Sequence, residues 1–241
     1  MGRPVVAAAE AAGHQVTVLS RSHGVDLTTG RGLDAALDGV AAVIDVTNRT
    51  TTKRRVAVEF FETASTHLLE AGQRAGVAHH VVLSIVGVDR VDLGYYAGKR
   101  RQEEVVLGSS RPVTVLRATQ FHEFAEQLVE RGPGRLVLAP RMRSQPIAAV
   151  EVADALVALA AGPPMGRAPE LAGPEPREMS DLVRLVVRAR GVRRVVLPLR
   201  VPGAAGRAMA RGALLPTATG PRGRQTFEQW LAGSVTAQAG S

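Results

Sequence analysis

The chain has 241 residues, 45% of them hydrophobic and only 3% aromatic, with no cysteine and a formal charge of +8. That length and apolar content suit one sizeable core in a single α/β domain spanning 1–241, with residues 162–241 building most of a smaller lobe. The missing cysteines exclude a disulfide framework and a thiol nucleophile, and they make a reducing cytoplasm the expected compartment.

The charge raises the question of nucleic acid. The basic residues are spread along the chain, with local clusters at Lys53-Arg54-Arg55 and Arg193-Arg194, and aromatic stacking platforms are scarce. A nucleic-acid partner is therefore not expected, and attraction to a small anionic ligand explains the excess better. The six histidines lack metal-ligand spacing, so no metal site is expected. Glu10 and His14 interrupt the N-terminal apolar run, which is too short to span a bilayer, so neither a signal peptide nor a membrane partner is expected.

Helices and strands alternate along the chain without internal repeat. A helix over 3–12 stops at Gly13, and 15–19 (Gln-Val-Thr-Val-Leu) reads as a strand that leads into Ser20-Arg21-Ser22. Val25-Asp26-Leu27 reads as a short strand, 33–37 as a short helix, and 42–46 as a buried strand that runs into Thr47-Asn48. Asp45, inside that apolar strand, is expected to be a hydrogen-bonded structural carboxylate. The helix over 54–73 carries Val56, Phe60, Ala64, Leu68 and Ala71 at helical spacing, which predicts a core stripe.

The run 79–84 (His-His-Val-Val-Leu-Ser) is β-branched and apolar, as in a buried parallel strand, and Ser84 closes its C-terminal end, the edge where open α/β sheets hold ligands. His79 and His80 should point to opposite faces. Eleven residues after Ser84 comes Gly94-Tyr95-Tyr96-Ala97-Gly98-Lys99, which contains both tyrosines and one of the two lysines. On a helix Tyr95 and Lys99 share a face. A cation beside a phenol lowers its pKa and suits it to proton transfer with a carbonyl or alcohol oxygen, the acid/base half of a hydride transfer. Ser84 would donate a hydrogen bond to the same oxygen.

Strand 112–116 follows, then Thr119-Gln120-Phe121-His122-Glu123-Phe124, where His122 and Glu123 read as a solvated helix turn. Beyond it come a strand over 135–139, an apolar helix over 150–160, a helix over 179–190, a strand over 195–198, a segment over 202–213 and a mobile loop over 216–224.

The stretches 79–87, 95–99, 116–121 (Leu-Arg-Ala-Thr-Gln-Phe) and 226–230 (Thr-Phe-Glu-Gln-Trp) together resemble the short-chain dehydrogenase/reductase superfamily, in particular its atypical NmrA-like, NAD(P)H-binding branch. The resemblance covers nearly the whole chain and implies a Rossmann-like doubly wound parallel sheet, a nicotinamide cofactor and a Ser84/Tyr95/Lys99 site, with Tyr96 as the fallback acid. It further implies that Lys99 touches the cofactor ribose, that Asp26 meets the adenine amino group, that Thr47 and Asn48 lie over a cofactor ribose, and that Gln120 and Phe121 close a substrate pocket. Arg21 stands where an acidic residue selects NAD, and an arginine there favours NADP(H).

The chain departs from the family pattern at its start. Met1-Gly2-Arg3-Pro4 resembles the last glycine of a Gly-x-x-Gly-x-x-Gly loop followed at once by its helix, so Gly2 is the one cradle residue and the first strand is missing. A misplaced start or a shortened chain is expected, with strands on either side of a gap and weakened pyrophosphate binding. The combined expectation is an NADP(H)-dependent oxidoreductase that reduces a carbonyl or quinone-like small molecule. The alternatives are an NADP-sensing protein that regulates a protein partner without turnover, or an inactive truncated product.

Overall fold

A computed structural model describes residues 1–132 and 134–239, with side chains through 234. The chain begins with α1 (Gly2–Ala11), a 3-10 turn at Arg21–His23 and α2 (Leu33–Ala36). Strands and long helices then alternate: β1 (Ala42–Asp45), α3 (Arg54–Arg74), β2 (His79–Ile85), α4 (Gly94–Leu107), β3 (Val113–Ala118) and α5 (Glu123–Arg131). The remainder comprises β4 (Leu136–Pro140), β5 (Arg143–Ser144), α6 (Ala149–Ala161), β6 (Gly166–Arg167), β7 (Arg177–Glu178), α7 (Met179–Ala189), β8 (Val195–Leu199), α8 (Gly203–Ala210) and α9 (Phe227–Ala239).

The central sheet is parallel throughout, in the order β1-β2-β3-β6, with helices on both faces, as a doubly wound α/β fold requires. Strand alternation sorts the side chains. Val81 and Leu83 of β2 pack with Leu116 and Ala118 of β3 against α1 and α6, while Val82, Val113 and Val115 meet Leu69 of α3 and Val106 of α4. His79 and His80 do fall on opposite faces: His79 Nε2 pairs with Thr114 Oγ1 at 2.8 Å, and the His80 ring lies against Gly72, where a Cβ would collide with it. Burial pushes His80 down to about 4, so it is neutral at physiological pH.

A second core lies beside the sheet. The parallel pair β4-β8 packs its inner side on α5 and α7, with Val137, Ala139, Leu182, Val186, Leu214 and Phe227 buried there. This core draws on residues from α5 onward as well as on the C-terminal third of the chain.

Three expectations change. The predicted strand over 15–19 joins no ladder; Val16 and Val18 are exposed, and β1 pairs with β2 alone, so its other edge is open. A strand needs a hydrogen-bonding neighbour, and none of the described strands pairs with 15–19. For the same reason 25–27 is reduced to a single antiparallel bridge between Asp26 and Arg31. The stripe of α3 is rotated: Ala57, Phe61, Ala64, Leu68 and Ala71 are buried, whereas Val56 and Phe60 are only partly so. Phe61 wins the core position because α4 approaches closely there, through Gly98.

A Cβ on Gly98 would lie 2.7 Å from both the Ala57 carbonyl oxygen and Phe61 Cδ2. Overpacking of this kind costs about 1–3 kcal/mol, more than the ~1 kcal/mol that alanine gains over glycine in a helix. Gly98→Ala should therefore unfold at lower urea concentration than the parent. Gly2→Ala, where nothing lies within 4 Å of the added carbon, should not.

Candidate functional site

A cleft of about 430 Å³ opens at the C-terminal end of β1, lined by Ser20, Arg21, Asp26, Thr28, Thr47, Asn48, Arg49 and Phe60 among others. This is the crevice where a doubly wound sheet holds its ligand. Four of the expected cofactor residues, Arg21, Asp26, Thr47 and Asn48, thus share one wall system. Asp26 is held by its own turn: Oδ1 accepts from the Thr28 hydroxyl and amide at 2.7 and 2.9 Å, and these bonds lower its pKa. Thr47 Oγ1 is buried without a hydrogen-bond partner, and Arg21 has no salt bridge among the described residues. An orphaned hydroxyl and an unpaired guanidinium at one crevice fit the ribose and phosphate groups of a dinucleotide. Gly2 opens α1 with free space around it, so no close approach there demands a glycine.

Tyr95 is tied to this cleft through Asn48. Its phenol donates to Asn48 Oδ1 at 2.8 Å, and its ring stands edge-on to Phe61, with centroids 5.8 Å apart. Burial pushes the phenol up to about 12, and no cation brings it down. The expected pairing with Lys99 is replaced by another arrangement. The Lys99 ammonium donates to the Leu83 carbonyl at 2.6 Å and to Gln102 Oε1 at 2.5 Å, and it lies 4.9 Å from the centre of the Phe61 ring. Sharing a helical face set the direction of Lys99, but its reach carries it under the sheet edge. Desolvation lowers Lys99 to about 8, against the opposing pull of Asp45 and Glu103. Tyr96 packs at the margin of the second core, and burial raises its pKa still further.

Ser84 also points away from the cleft. Alternation along β2 sends it to the α4 side, where Oγ donates to Glu103 Oε1 at 2.5 Å. Glu103 is 3% exposed and accepts both arms of Arg117, at 2.8 and 2.7 Å, and one of Arg167 at 2.7 Å. Burial works to raise its pKa, but these donors outweigh that effect and hold the carboxyl below the usual range. Asp45 is structural as expected: Oδ1 accepts from the Thr47 amide and Oδ2 from Gln102 Nε2, each at 2.8 Å. Asp45, Gln102 and Lys99 therefore form one buried chain.

Gln120 has both side-chain amide atoms buried without partners, an arrangement open to a ligand, while Phe121 packs in the α1/α6 core and bridges Ile147. The solvated turn expected at His122 is absent. His122 is 1% exposed, clustered with Phe227, which it meets edge-on, and with the tilted Trp230 ring, centroids 5.4 Å from each, and burial lowers its pKa. The 226–230 segment is what covers it, a contact more than 100 residues away in sequence. Sequence reasoning also missed Arg49 and Phe60, whose guanidinium and ring stack at 5.5 Å in the cleft wall. Arg49 follows Asn48 directly, so extending the reading of that loop by one residue would have found it; Phe60 was lost to the rotated helical phase.

No family model matches the chain, and no curated protein does. Solved structures do match in fold. MoeE5, in complex with UDP-glucose and NAD, superposes with a TM-score of 0.75 at 17% identity over 100% of this chain and 96% of its own. A short-chain dehydrogenase/reductase superfamily protein from Agrobacterium tumefaciens with bound NAD gives 0.72 at 19%, over 99% and 94%. An NADPH-dependent quinone oxidoreductase from Escherichia coli gives 0.68 at 15%, over 97% and 95%. The chain has the Rossmann-like α/β fold of these nicotinamide-dinucleotide-binding proteins.

With only Lys53 and Lys99 in the chain, incorporation of [13Cε]lysine during expression yields two lysine resonances. The Lys99 signal should titrate near 8, and Asp45→Asn should move its midpoint lower by removing the carboxylate that favours the charged form. A lysine held below its unfolded value of 10.5 costs stability in full below about pH 8 and progressively less as pH rises toward 10.5. For Glu103 the sign is opposite: its contribution is present above 4.5 and is lost as pH falls through its lowered folded pKa. Urea melts of Glu103→Gln should accordingly show a shallower loss of stability on acidification than the parent.

Proposed function

We propose that the chain is an NADP(H)-dependent oxidoreductase of the short-chain type that reduces a carbonyl or quinone-like small molecule. The observation that carries this reading is the Tyr95 phenol, hydrogen-bonded to Asn48 at the margin of the cleft that also gathers Arg21, Asp26 and Thr47. The fold neighbours that hold NAD or use NADPH support it at the level of cofactor class. Two arginines in the cleft wall, Arg21 and Arg49, favour the extra phosphate of NADP(H). The nicotinamide, when bound, supplies the hydride.

The chain's own groups do the rest. Tyr95 stays protonated at any physiological pH, and turning its O–H from Asn48 Oδ1 to the substrate oxygen would let it give that proton as negative charge develops there. The Gln120 amide, buried without a hydrogen-bond partner, would be free to bond a substrate. Lys99 and Ser84 act from beneath: Lys99 fixes the end of β2 through the Leu83 carbonyl, and Ser84 ties β2 to Glu103. A cytoplasmic location suits such chemistry. The commitment of Ser84 and Lys99 to buried partners favours a second reading, in which the cleft binds NADP without turnover and reports to a protein partner.

Tyr95→Phe should lower turnover of NADPH with a carbonyl or quinone panel by about 10²–10⁴-fold and leave NADPH affinity nearly unchanged by calorimetry, whereas Tyr96→Phe should leave turnover largely intact. Tight NADPH binding with no turnover of any substrate would establish the second reading instead. Arg21→Asp should shift the ratio of NADPH to NADH affinity toward NADH, since a carboxylate repels a 2′-phosphate and accepts from a 2′-hydroxyl; an unmoved ratio would reduce Arg21 to a surface charge.

A further inference from the structure

The positive charge is divided unevenly. Residues 1–130 hold 14 basic and 15 acidic side chains, and residues 131–241 hold 16 and 7. No acidic residue stands between Glu130 and Glu151, nor between Asp181 and Glu228. These two acid-free stretches supply β4 and β8, which pair in parallel with Leu136 beside Val195, Leu138 beside Leu197 and Pro140 beside Leu199.

Alternation gives this ladder two unlike sides. Val137 and Ala139 face the second core and are fully buried, while Leu136, Leu138, Val195, Leu197 and Leu199 are 42–57% exposed. Five large aliphatic side chains on one two-stranded ladder form a contiguous apolar patch, which a soluble surface rarely displays without a use. Arg135 and Arg193 flank one end of the ladder and Arg141 and Arg200 the other; all four are exposed and have no salt bridge among the described residues.

We propose that the outer face of the β4-β8 ladder docks on an anionic phospholipid bilayer, its aliphatic side chains entering the interface while the flanking arginines pair with headgroup phosphates. Charge complementarity selects this occupant. A second copy of the chain would bring arginine rim against arginine rim. The patch also lacks the tyrosine and tryptophan side chains that serve as hot spots of protein interfaces, and it offers leucine and valine, which are under-represented among such hot spots. Acyl chains ask only for apolar area, and each arginine near an anionic leaflet adds attraction that falls with salt. None of the described helices is long and apolar enough to cross a membrane, so contact is confined to the surface. The inference is independent of the cofactor cleft, and it departs from the expectation of no membrane partner, which addressed only spanning and targeting segments.

Flotation of the full chain with vesicles of phosphatidylcholine alone, or with phosphatidylglycerol at three parts in ten, tests the proposal. The expected result is at least tenfold tighter association with the anionic vesicles, weakened by salt. Leu138→Gln combined with Leu197→Gln, both at exposed positions, should reduce that association at least tenfold with an unchanged thermal melt, and Arg135→Glu with Arg200→Glu should abolish its salt dependence. Met165→Gln, an equivalent change at an exposed apolar residue elsewhere, should have no effect. Equal binding to both vesicle types, no binding to either, or leucine variants that bind like the parent would each overturn the proposal. So would a dimer in light scattering that the paired leucine substitution dissociates, because the face would then belong to a second copy.

Discussion

The structure depends on how α4 meets the sheet. Three consecutive or near-consecutive polar residues of that helix, Lys99, Gln102 and Glu103, are each 3% exposed or less. Burying such groups is costly unless every one finds partners. The strands provide them at their C-terminal ends: Asp45 from β1 for Gln102, the Leu83 carbonyl from β2 for Lys99, and Ser84 and Arg117 from β2 and β3 for Glu103. Ser84 and Arg117 are register partners across β2 and β3, so the parallel pairing itself presents a donor pair to one carboxylate.

This row also sets the position of the candidate site. It pins the three strand ends and the first turns of α4 together, and Tyr95, one turn before Lys99, is thereby carried to Asn48 and the cleft. Gly98 lets α4 approach α3 closely enough for Phe61 to serve both Lys99 and Tyr95 as an aromatic neighbour. The residues around the candidate site are therefore held by contacts that are structural in kind. That is why the Tyr/Lys spacing has two consequences, a phenol at the cleft and an ammonium beneath it, rather than one shared cluster.

The second core has a different logic. Its helices bury one strong apolar stripe each, as α7 does with Met179, Leu182, Val183, Val186 and Val187, and its two-stranded ladder has only one side to give them. The other side is left to solvent, and the arginines gather around it. The sheet core and the second core are joined through loops such as 213–214, where Gly87 at positive φ approaches the Ala213 carbonyl so closely that a side chain would not fit.

Much of this was written in the local pattern. The order of helices and strands from residue 33 to residue 118 follows from periodicity and from glycine and proline punctuation, because each element buries a stripe or a face that repeats at 3.6 or 2 residues. The structural role of Asp45 followed from a charge in an apolar strand, whereas Arg21, Asp26, Thr47 and Asn48, which line one cleft, were named through the family resemblance. What sequence alone left undecided needed partners distant along the chain. Residues 15–19 have strand composition, yet without a neighbour they join no ladder. Lys99 shares a face with Tyr95, yet the Leu83 carbonyl and Gln102 claim its ammonium. His122 looks like a solvated turn until Phe227 and Trp230 close over it from the far end of the chain. Periodicity reports which face of an element is apolar; which group satisfies a buried donor or ring is decided only when the elements pack.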